Sequence, residues 1–316
     1  MTNGVVIGRF QPLHKGHEQL INVARTSCER LVLLVVSAEN DAIPGWQRYN
    51  WVKNTWPELD VRHVVLPSSE QSPDWFALLN KFGPQEPYTV FYGQNQSEYW
   101  SAHSETPGVC VPMWPPESPY LSSNILRNPD DFRQALSPKV RAAFVRRVAL
   151  IGPESCGKSY LAELLAAHFG TVFVEEYGRT YCEKFGMDLT ELDFAHIAGG
   201  QLFREDEMAE QATGVLFCDT DLIVTQVWSE IYFKGRCQPW IMQADHERRY
   251  ALFLLLAPDI PWINDGLREY EAQREWMFER LKQELQTRNL PHIVIRGDYE
   301  QRTRQAIEAV NNLPGL

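Results

Sequence analysis

Val148-Ala149-Leu150-Ile151-Gly152-Pro153-Glu154-Ser155-Cys156-Gly157-Lys158-Ser159 is the stretch that decides the fold. Four apolar residues run into the spacing G-x-x-x-x-G-K-S and then into a helical pattern that reaches residue 169. The apolar run reads as a buried strand. The glycines let backbone N–H groups wrap phosphate oxygens, and the next helix adds the positive end of its dipole. In that cradle Lys158 reaches β- and γ-phosphates and Ser159 ligates Mg2+. A chance match of this spacing in such a chain is on the order of one in a hundred.

Outward from this unit, the same alternation occurs twice. Residues 148–151, 171–174, 214–218, 251–256 and 292–295 read as strands, with helical patterns over 158–169, 194–211 and 267–288. An earlier series has strands at 4–7, 31–36, 61–66 and 88–92, with a helix over 17–25. Alternation of this kind predicts an α/β chain with two parallel-sheet domains. Each series opens with a strand that feeds a loop and a helix, the position where parallel sheets bind ligands. The polar stretch 128–147, with Pro129 and Pro138, separates them, which predicts domains 1–137 and 138–316. A length of 316 residues fits two domains.

The formal charge is −11, divided as −4 over residues 1–137 and −7 over 138–316. Neither half offers the broad basic face that coats nucleic acid. A small anion needs only a few aimed donors, so nucleotides remain compatible. The longest apolar runs, 31–36 and 251–257, are far short of the ~18–20 residues that span a bilayer. No signal pattern precedes the first strand. Six cysteines are scattered without a CxxC pair, which reads as reduced, cytoplasmic thiols and not as a disulfide frame or zinc site.

In the second half, Glu175, Glu176 and Arg179 come after one strand, and Asp219 and Asp221 after another. Carboxylates at such strand ends contact Mg2+ or accept a substrate hydroxyl's proton; the alternative is a solvated loop carboxylate. Arg268 reads as a lid arginine over the phosphates or as a helix-surface residue. Trp262 reads as a stacking partner for an aromatic ring or as a packing residue. Cys156 lies at a helix N-terminus, where a thiol pKa can fall, so redox control competes with a spacer role.

The first half carries Gly8-Arg9-Phe10-Gln11-Pro12-Leu13-His14-Lys15-Gly16-His17 after its opening strand. Imidazoles at a loop-to-helix junction donate to phosphate oxygens beside the helix dipole, and Gly16 permits close approach. Metal binding by His14 and His17 is the competing reading. Downstream, Ser122-Ser123-Asn124-Ile125-Leu126-Arg127 adds hydroxyls and a cation at a helix start, or a simple cap.

The Gly8-to-His17 stretch resembles the HxGH nucleotidyltransferases, in the form found in nicotinamide-mononucleotide adenylyltransferases. The stretch from Ser122 to Arg127 is similar to that family's second ATP signature, with Asn124 where threonine is usual. The second half resembles ribosylnicotinamide kinases through Gly152 to Ser159, Glu176-Tyr177-x-Arg179, Asp219-x-Asp221 and Pro261-Trp262…Asp265-Gly266-x-Arg268. Together they resemble the bifunctional NadR-type family over nearly the whole chain, without the N-terminal DNA-binding region that some members carry.

The resemblance implies an HxGH Rossmann-like domain and, after it, a P-loop kinase domain. It implies phosphorylation of nicotinamide riboside by ATP, then adenylylation of nicotinamide mononucleotide by a second ATP to give NAD. For the adenylyl site it implies ATP contacts from Gly8, Arg9, Phe10, His14, Gly16, His17, Ser122, Ser123 and Arg127. Arg48, Trp46, Tyr92 and Gly93 would hold the mononucleotide. For the kinase it implies ATP contacts from Gly152, Glu154, Ser155, Cys156, Gly157, Lys158, Ser159 and Arg268. Glu175, Glu176, Tyr177, Arg179, Asp219 and Trp262 would hold the riboside. Catalysis falls to His14, His17, Arg127, Lys158 and Asp219, and Mg2+ with ATP to Ser159 and Asp219. The expected partners are small molecules (ATP, nicotinamide riboside, nicotinamide mononucleotide and NAD), with no nucleic acid and no membrane; homo-oligomerisation stays open. The rival readings are a nucleotide-sensing regulatory protein with little turnover, and the same two activities on another nucleoside or nucleotide.

Overall fold

Strands that are apolar on both faces are buried by helices packed on both sides, and such strands assemble in parallel. The computed structural model describes residues 2–67, 74–103, 106–112, 122–129, 131–244, 249–262 and 271–314. The chain divides into two units, Met1–Arg141 and Ala142–Leu316, at a point inside the polar stretch 128–147. Among the described residues no helix is long and apolar enough to cross a membrane.

The first unit runs β1 (Asn3–Gly8), α1 (Lys15–Ser27), β2 (Arg30–Ser37), α2 (Gly45–Thr55), β3 (Asp60–Val65), α3 (Trp75–Phe82), β4 (Tyr88–Gly93), α4 (Ser97–Ala102), β5 (Gly108–Val111), α5 (Ser122–Arg127) and α6 (Pro138–Arg141). Its sheet has the order β3-β2-β1-β4-β5, all parallel. The interior of β1 and all of β2 beyond Arg30 are buried. Strand order reverses beside β1, so a crevice opens at the C-terminal ends of β1 and β4. Strand β5 has no counterpart in the sequence-based expectation, because three of its four residues are exposed at the sheet edge.

The second unit runs β6 (Arg146–Ile151), α7 (Lys158–Phe169), β7 (Phe173–Val174), α8 (Tyr177–Phe185), α9 (Glu191–Ala209), β8 (Val215–Asp219), α10 (Leu222–Tyr232), α11 (Pro239–Met242), β9 (Leu252–Leu256), α12 (Arg274–Thr287), β10 (His292–Ile295) and α13 (Tyr299–Asn311). The order is β10-β9-β6-β8-β7, again all parallel. Every residue of β8 and β9 is buried. Helix α9 begins earlier than its apolar pattern predicts, because Thr190 and Asp193 form a reciprocal capping box.

One buried side chain ties the edge of this second sheet together. Arg302, on α13, is 2% exposed. It donates to the carbonyls of Gly297 (2.7 Å), Cys156 (2.6 Å) and Ala257 (2.7 Å) and pairs with Asp259. The loop after β6 is thereby fixed to the ends of β9 and β10. Arg302→Met keeps bulk but strips this donor from three carbonyls and leaves the Asp259 carboxylate with the Gly297 N–H and solvent. The expected loss is on the order of 3 kcal/mol, read as a lower urea midpoint for the second unit. An unchanged midpoint would contradict the clamp.

Candidate active sites

The first cleft, about 420 Å³, lies at the C-terminal end of β1. Gly8, Arg9, Phe10, His14, Gly16, His17, Ser122, Ser123 and Gly93 line it, as the sequence pattern anticipates. His14 caps α1: its Nδ1 accepts from the Gly16 backbone N–H at 3.1 Å. That acceptor role leaves the proton on Nε2, which faces the Ser122 hydroxyl at 3.3 Å. The His17 ring stacks on His14 with centroids 3.8 Å apart, and Phe10 meets His17 edge-on at 5.1 Å. Burial lowers the His14 pKa to about 4. Burial, then the neighbouring His14, hold His17 well below the ordinary imidazole range, against a smaller opposing pull from the Pro12 backbone. Both rings are neutral hydrogen-bonding groups at neutral pH. Among the described residues no cluster of three or more His, Cys, Asp or Glu stands together.

Four expected ligands of this site stand elsewhere. Arg48 is fully buried and donates to the carbonyls of Ile43 (2.9 Å), Val36 (3.0 Å) and Arg9, and pairs with Asp41. Its guanidinium holds the loops and does not line the cleft. Asp41 also takes Arg9 at 2.9 Å, so Arg48 acts behind Arg9. Trp46 is 63% exposed on α2, outside the cleft lining. Tyr92 is buried against Trp100, and only its neighbour Gly93 reaches the cleft. Arg127 is exposed at the end of α5, also outside the lining. The sequence pattern did not single out Gln94, Asn95 and Gln96, which line the cleft just beyond β4. A polar run after an apolar strand was the available signal.

The second cavity, about 390 Å³, lies beyond β6. The loop has positive φ at Gly152 (153°), Ser155 (53°) and Gly157 (86°). A side chain at Gly152 would place its Cβ 2.7 Å from the Leu256 carbonyl oxygen, which is why glycine stands there. Lys158 Nζ rests on the loop's own carbonyls, Gly152 at 3.1 Å and Pro153 at 3.0 Å. Burial opposes its charge, but Cys156, Glu176, Asp219 and Glu154 outweigh that and raise its pKa. Asp219 ends β8, almost fully buried, and its Oδ1 has no partner. Burial first, then Glu176, push its pKa up to about 6, while Lys158, the Ser159 hydroxyl and Arg179 pull it down.

The cavity joins a polar end, Glu154 to Ser159 with Glu176 and Arg179, to a wall of Phe194, Ile197, Val224, Trp228 and Tyr232. Glu175 is exposed and Tyr177 packs on Gly200 beneath Arg204; neither lines the cavity. Trp262 is half-buried and also outside the lining. Arg268 lies outside the described residues. Cys156 is buried, and burial raises its thiol pKa against the pull of Lys158 and Arg302, so it lacks the exposed thiolate that redox control requires. The aromatic wall was hidden in the sequence because Val224, Trp228 and Tyr232 recur every four residues, a spacing that reads as ordinary core.

Fold and loops define a class: a two-domain α/β enzyme, with a cytidylyltransferase-like domain and then a P-loop kinase-like domain. Residues 5–66 match the cytidylyltransferase-like family model and residues 147–302 the AAA domain model. The chain is NadR-like from end to end. It is 28% identical to the trifunctional NAD biosynthesis/regulator protein NadR of Escherichia coli, over 99% of this chain and 84% of that protein. A shorter stretch is similar to nicotinamide-nucleotide adenylyltransferase of Methanosarcina barkeri, 36% identical over 21% of this chain and 42% of that one. A crystal structure of NadR in complex with NR superposes with a TM-score of 0.78 at 25% identity, covering 100% of this chain and 97% of the other.

The histidine pair gives the first unit a pH signature. Unfolded, His14 titrates near 6.5; folded, at about 4. The folded state binds this proton less readily, so its stabilisation is complete above pH 6.5 and is lost as pH falls towards about 4. The shift corresponds to on the order of 3 kcal/mol. Unfolding free energy measured across this window should fall in the wild type and fall less in His14→Gln; parallel curves would refute the assignment.

Proposed function

We propose that this chain is a bifunctional enzyme of NAD biosynthesis and salvage, with the adenylyltransferase in residues 1–137 and the kinase in 138–316. One observation carries the reading. Two unlike phosphate-holding loops, Gly8 to His17 and Gly152 to Ser159, each stand beyond a central strand of a parallel sheet. The end-to-end similarity to NadR supports the same pairing.

In the kinase step ATP lies on the Gly152–Ser159 loop. The pyridine ring of nicotinamide riboside sits against Phe194, Trp228 and Tyr232. Its ribose 5′-hydroxyl oxygen attacks the γ-phosphorus, the bond to the β–γ bridging oxygen breaks, and ADP leaves. Lys158 exchanges the carbonyls of Gly152 and Pro153 for phosphate oxygens. The reaction is mostly positioning and charge stabilisation. The Ser159 hydroxyl and the unpartnered Oδ1 of Asp219 are hard oxygen donors, which fits Mg2+ completed by water and phosphate. When bound, that ion neutralises charge on the transferring phosphate. Asp219, buried behind the cavity lining between Ser159 and Thr220, would meet either that ion or the acceptor hydroxyl's proton, and Glu176 with Arg179 would hold the ribose.

In the adenylyl step a phosphate oxygen of nicotinamide mononucleotide attacks the α-phosphorus of a second ATP. The bond to the departing pyrophosphate breaks and NAD forms. The attacking group is already anionic, so no protein nucleophile is required. His14 and His17 donate as neutral imidazoles beside the α1 N-terminus, which adds backbone donors without a large fixed charge. Arg9 lines the same cleft. Arg127, exposed one turn beyond Ser123 and outside the cleft lining, would meet the pyrophosphate only by swinging inward. The chain works in the cytoplasm on small molecules, with no nucleic-acid partner.

Lys158→Ala should cut riboside phosphorylation by about 10²–10³-fold and spare adenylylation; His17→Ala should do the reverse. Product assays on nicotinamide riboside and nicotinamide mononucleotide with ATP read both. Loss of both activities in either variant would break the two-site model, and tight binding without NAD formation in the wild type would make the protein a nucleotide sensor.

A further inference from the structure

Thr220 is the one residue between the end of β8 and Asp221, which caps α10 by accepting from the Val224 N–H at 3.1 Å. It holds φ at 80°, a conformation that a β-branched residue very rarely adopts and that glycine adopts freely. Neighbours on both sides enforce it. The Thr220 N–H donates to the Leu150 carbonyl at 3.0 Å, extending the β6–β8 ladder, while the Asp221 cap fixes the start of α10. Glycine would meet this geometry without strain, so the side chain itself must be what the position gains.

That side chain is 4% exposed, and its hydroxyl has no hydrogen-bond partner. Nearby Thr225 is just as buried, but its hydroxyl is satisfied by the Asp221 carbonyl at 3.2 Å. Thr220 lines the kinase cavity, whereas the hydroxyl it carries is left with nothing inside the protein. A buried polar group without a partner is unfavourable unless a ligand or ordered water supplies one. In the chain it comes directly after Asp219, and on its other side α10 contributes Val224 and Trp228 to the aromatic wall. It therefore stands where the phosphate grip passes into the apolar end of the cavity.

Resting on the kinase reading above, we propose that Thr220 is a substrate-positioning residue whose hydroxyl hydrogen-bonds a sugar hydroxyl of the phosphoryl acceptor. The strain at φ 80° is retained because it presents this one group at the junction.

Three variants of the full chain test this, with adenylylation by the first unit as the internal control. Thr220→Val keeps the shape and removes the hydroxyl; the KM for nicotinamide riboside should rise about tenfold, with the KM for ATP unchanged. Thr220→Ser should restore the wild-type KM. Thr220→Gly should impair riboside use as valine does, yet melt no lower than the wild type because the strain is gone. An unchanged riboside KM in Thr220→Val, or an equal rise for ATP, overturns the proposal. So does a clear fall in melting temperature for Thr220→Gly. A wild-type chain that phosphorylates no riboside would instead overturn the kinase reading, and this proposal with it; the wild-type assay tells that case apart.

Discussion

A single buried guanidinium holds each phosphate loop in place. In the first unit Arg48 takes the carbonyls of Arg9, Val36 and Ile43 and pairs with Asp41. In the second, Arg302 takes those of Cys156, Ala257 and Gly297 and pairs with Asp259. The two are unrelated in sequence position, but the solution is the same. A loop that turns its N–H groups towards a ligand turns carbonyls inward, where they must be satisfied. Arginine suits this because its planar fork serves several acceptors at once and stays charged. The carboxylate beside each one offsets the charge, on a separate nitrogen in Arg48 and on the Nη2 shared with the Ala257 carbonyl in Arg302.

This arrangement explains how an acidic chain handles anions. The net charge is −11, yet the groups proposed to meet phosphate are backbone N–H, hydroxyl, neutral imidazole and a few cations. In the first cleft, burial keeps His14 and His17 uncharged, so the site is set by donor geometry more than by charge. In the second, the Lys158 ammonium is held by the loop's own carbonyls and by surrounding acidic groups. On the proposed kinase reading, a nucleotide displaces these internal contacts as it binds, and the lysine passes from one oxygen set to another without crossing an apolar state.

Both loops and both sheets were legible in the sequence because each rests on local rules. Glycine, lysine and histidine at fixed spacing leave few alternatives, and continuous apolar runs mark central strands. The features that escaped depend on tertiary contact. Strand β5 is short and exposed, so nothing in its own composition separates it from a loop. Arg48 and Arg302 look like surface cations until the fold closes around them. Resemblance placed Arg48 at a ligand, and its full burial among carbonyls moves it one layer back. The wall of Val224, Trp228 and Tyr232 has the period of any core-facing helix; only the cavity on its far side shows that this face is not closed by protein.

Three of the five positive-φ non-glycine residues among those described fall in the same places, whereas Lys234 and Asn289 follow helix C-termini away from both clefts. Among the described residues, positive φ at non-glycine positions includes Phe10 in the first loop, Ser155 in the second and Thr220 at the end of β8. Each borders a cleft, and a helix starts within a few residues of each. A parallel strand delivers the chain to the sheet edge pointing outward, and the helix must return over the sheet. The reversal has to happen in very few residues if the helix N-terminus is to face the ligand. Strain at that bend is thus a consequence of placing backbone donors at the edge. The buried arginines, the strand ladder and the helix caps together supply the stability that lets these bends persist.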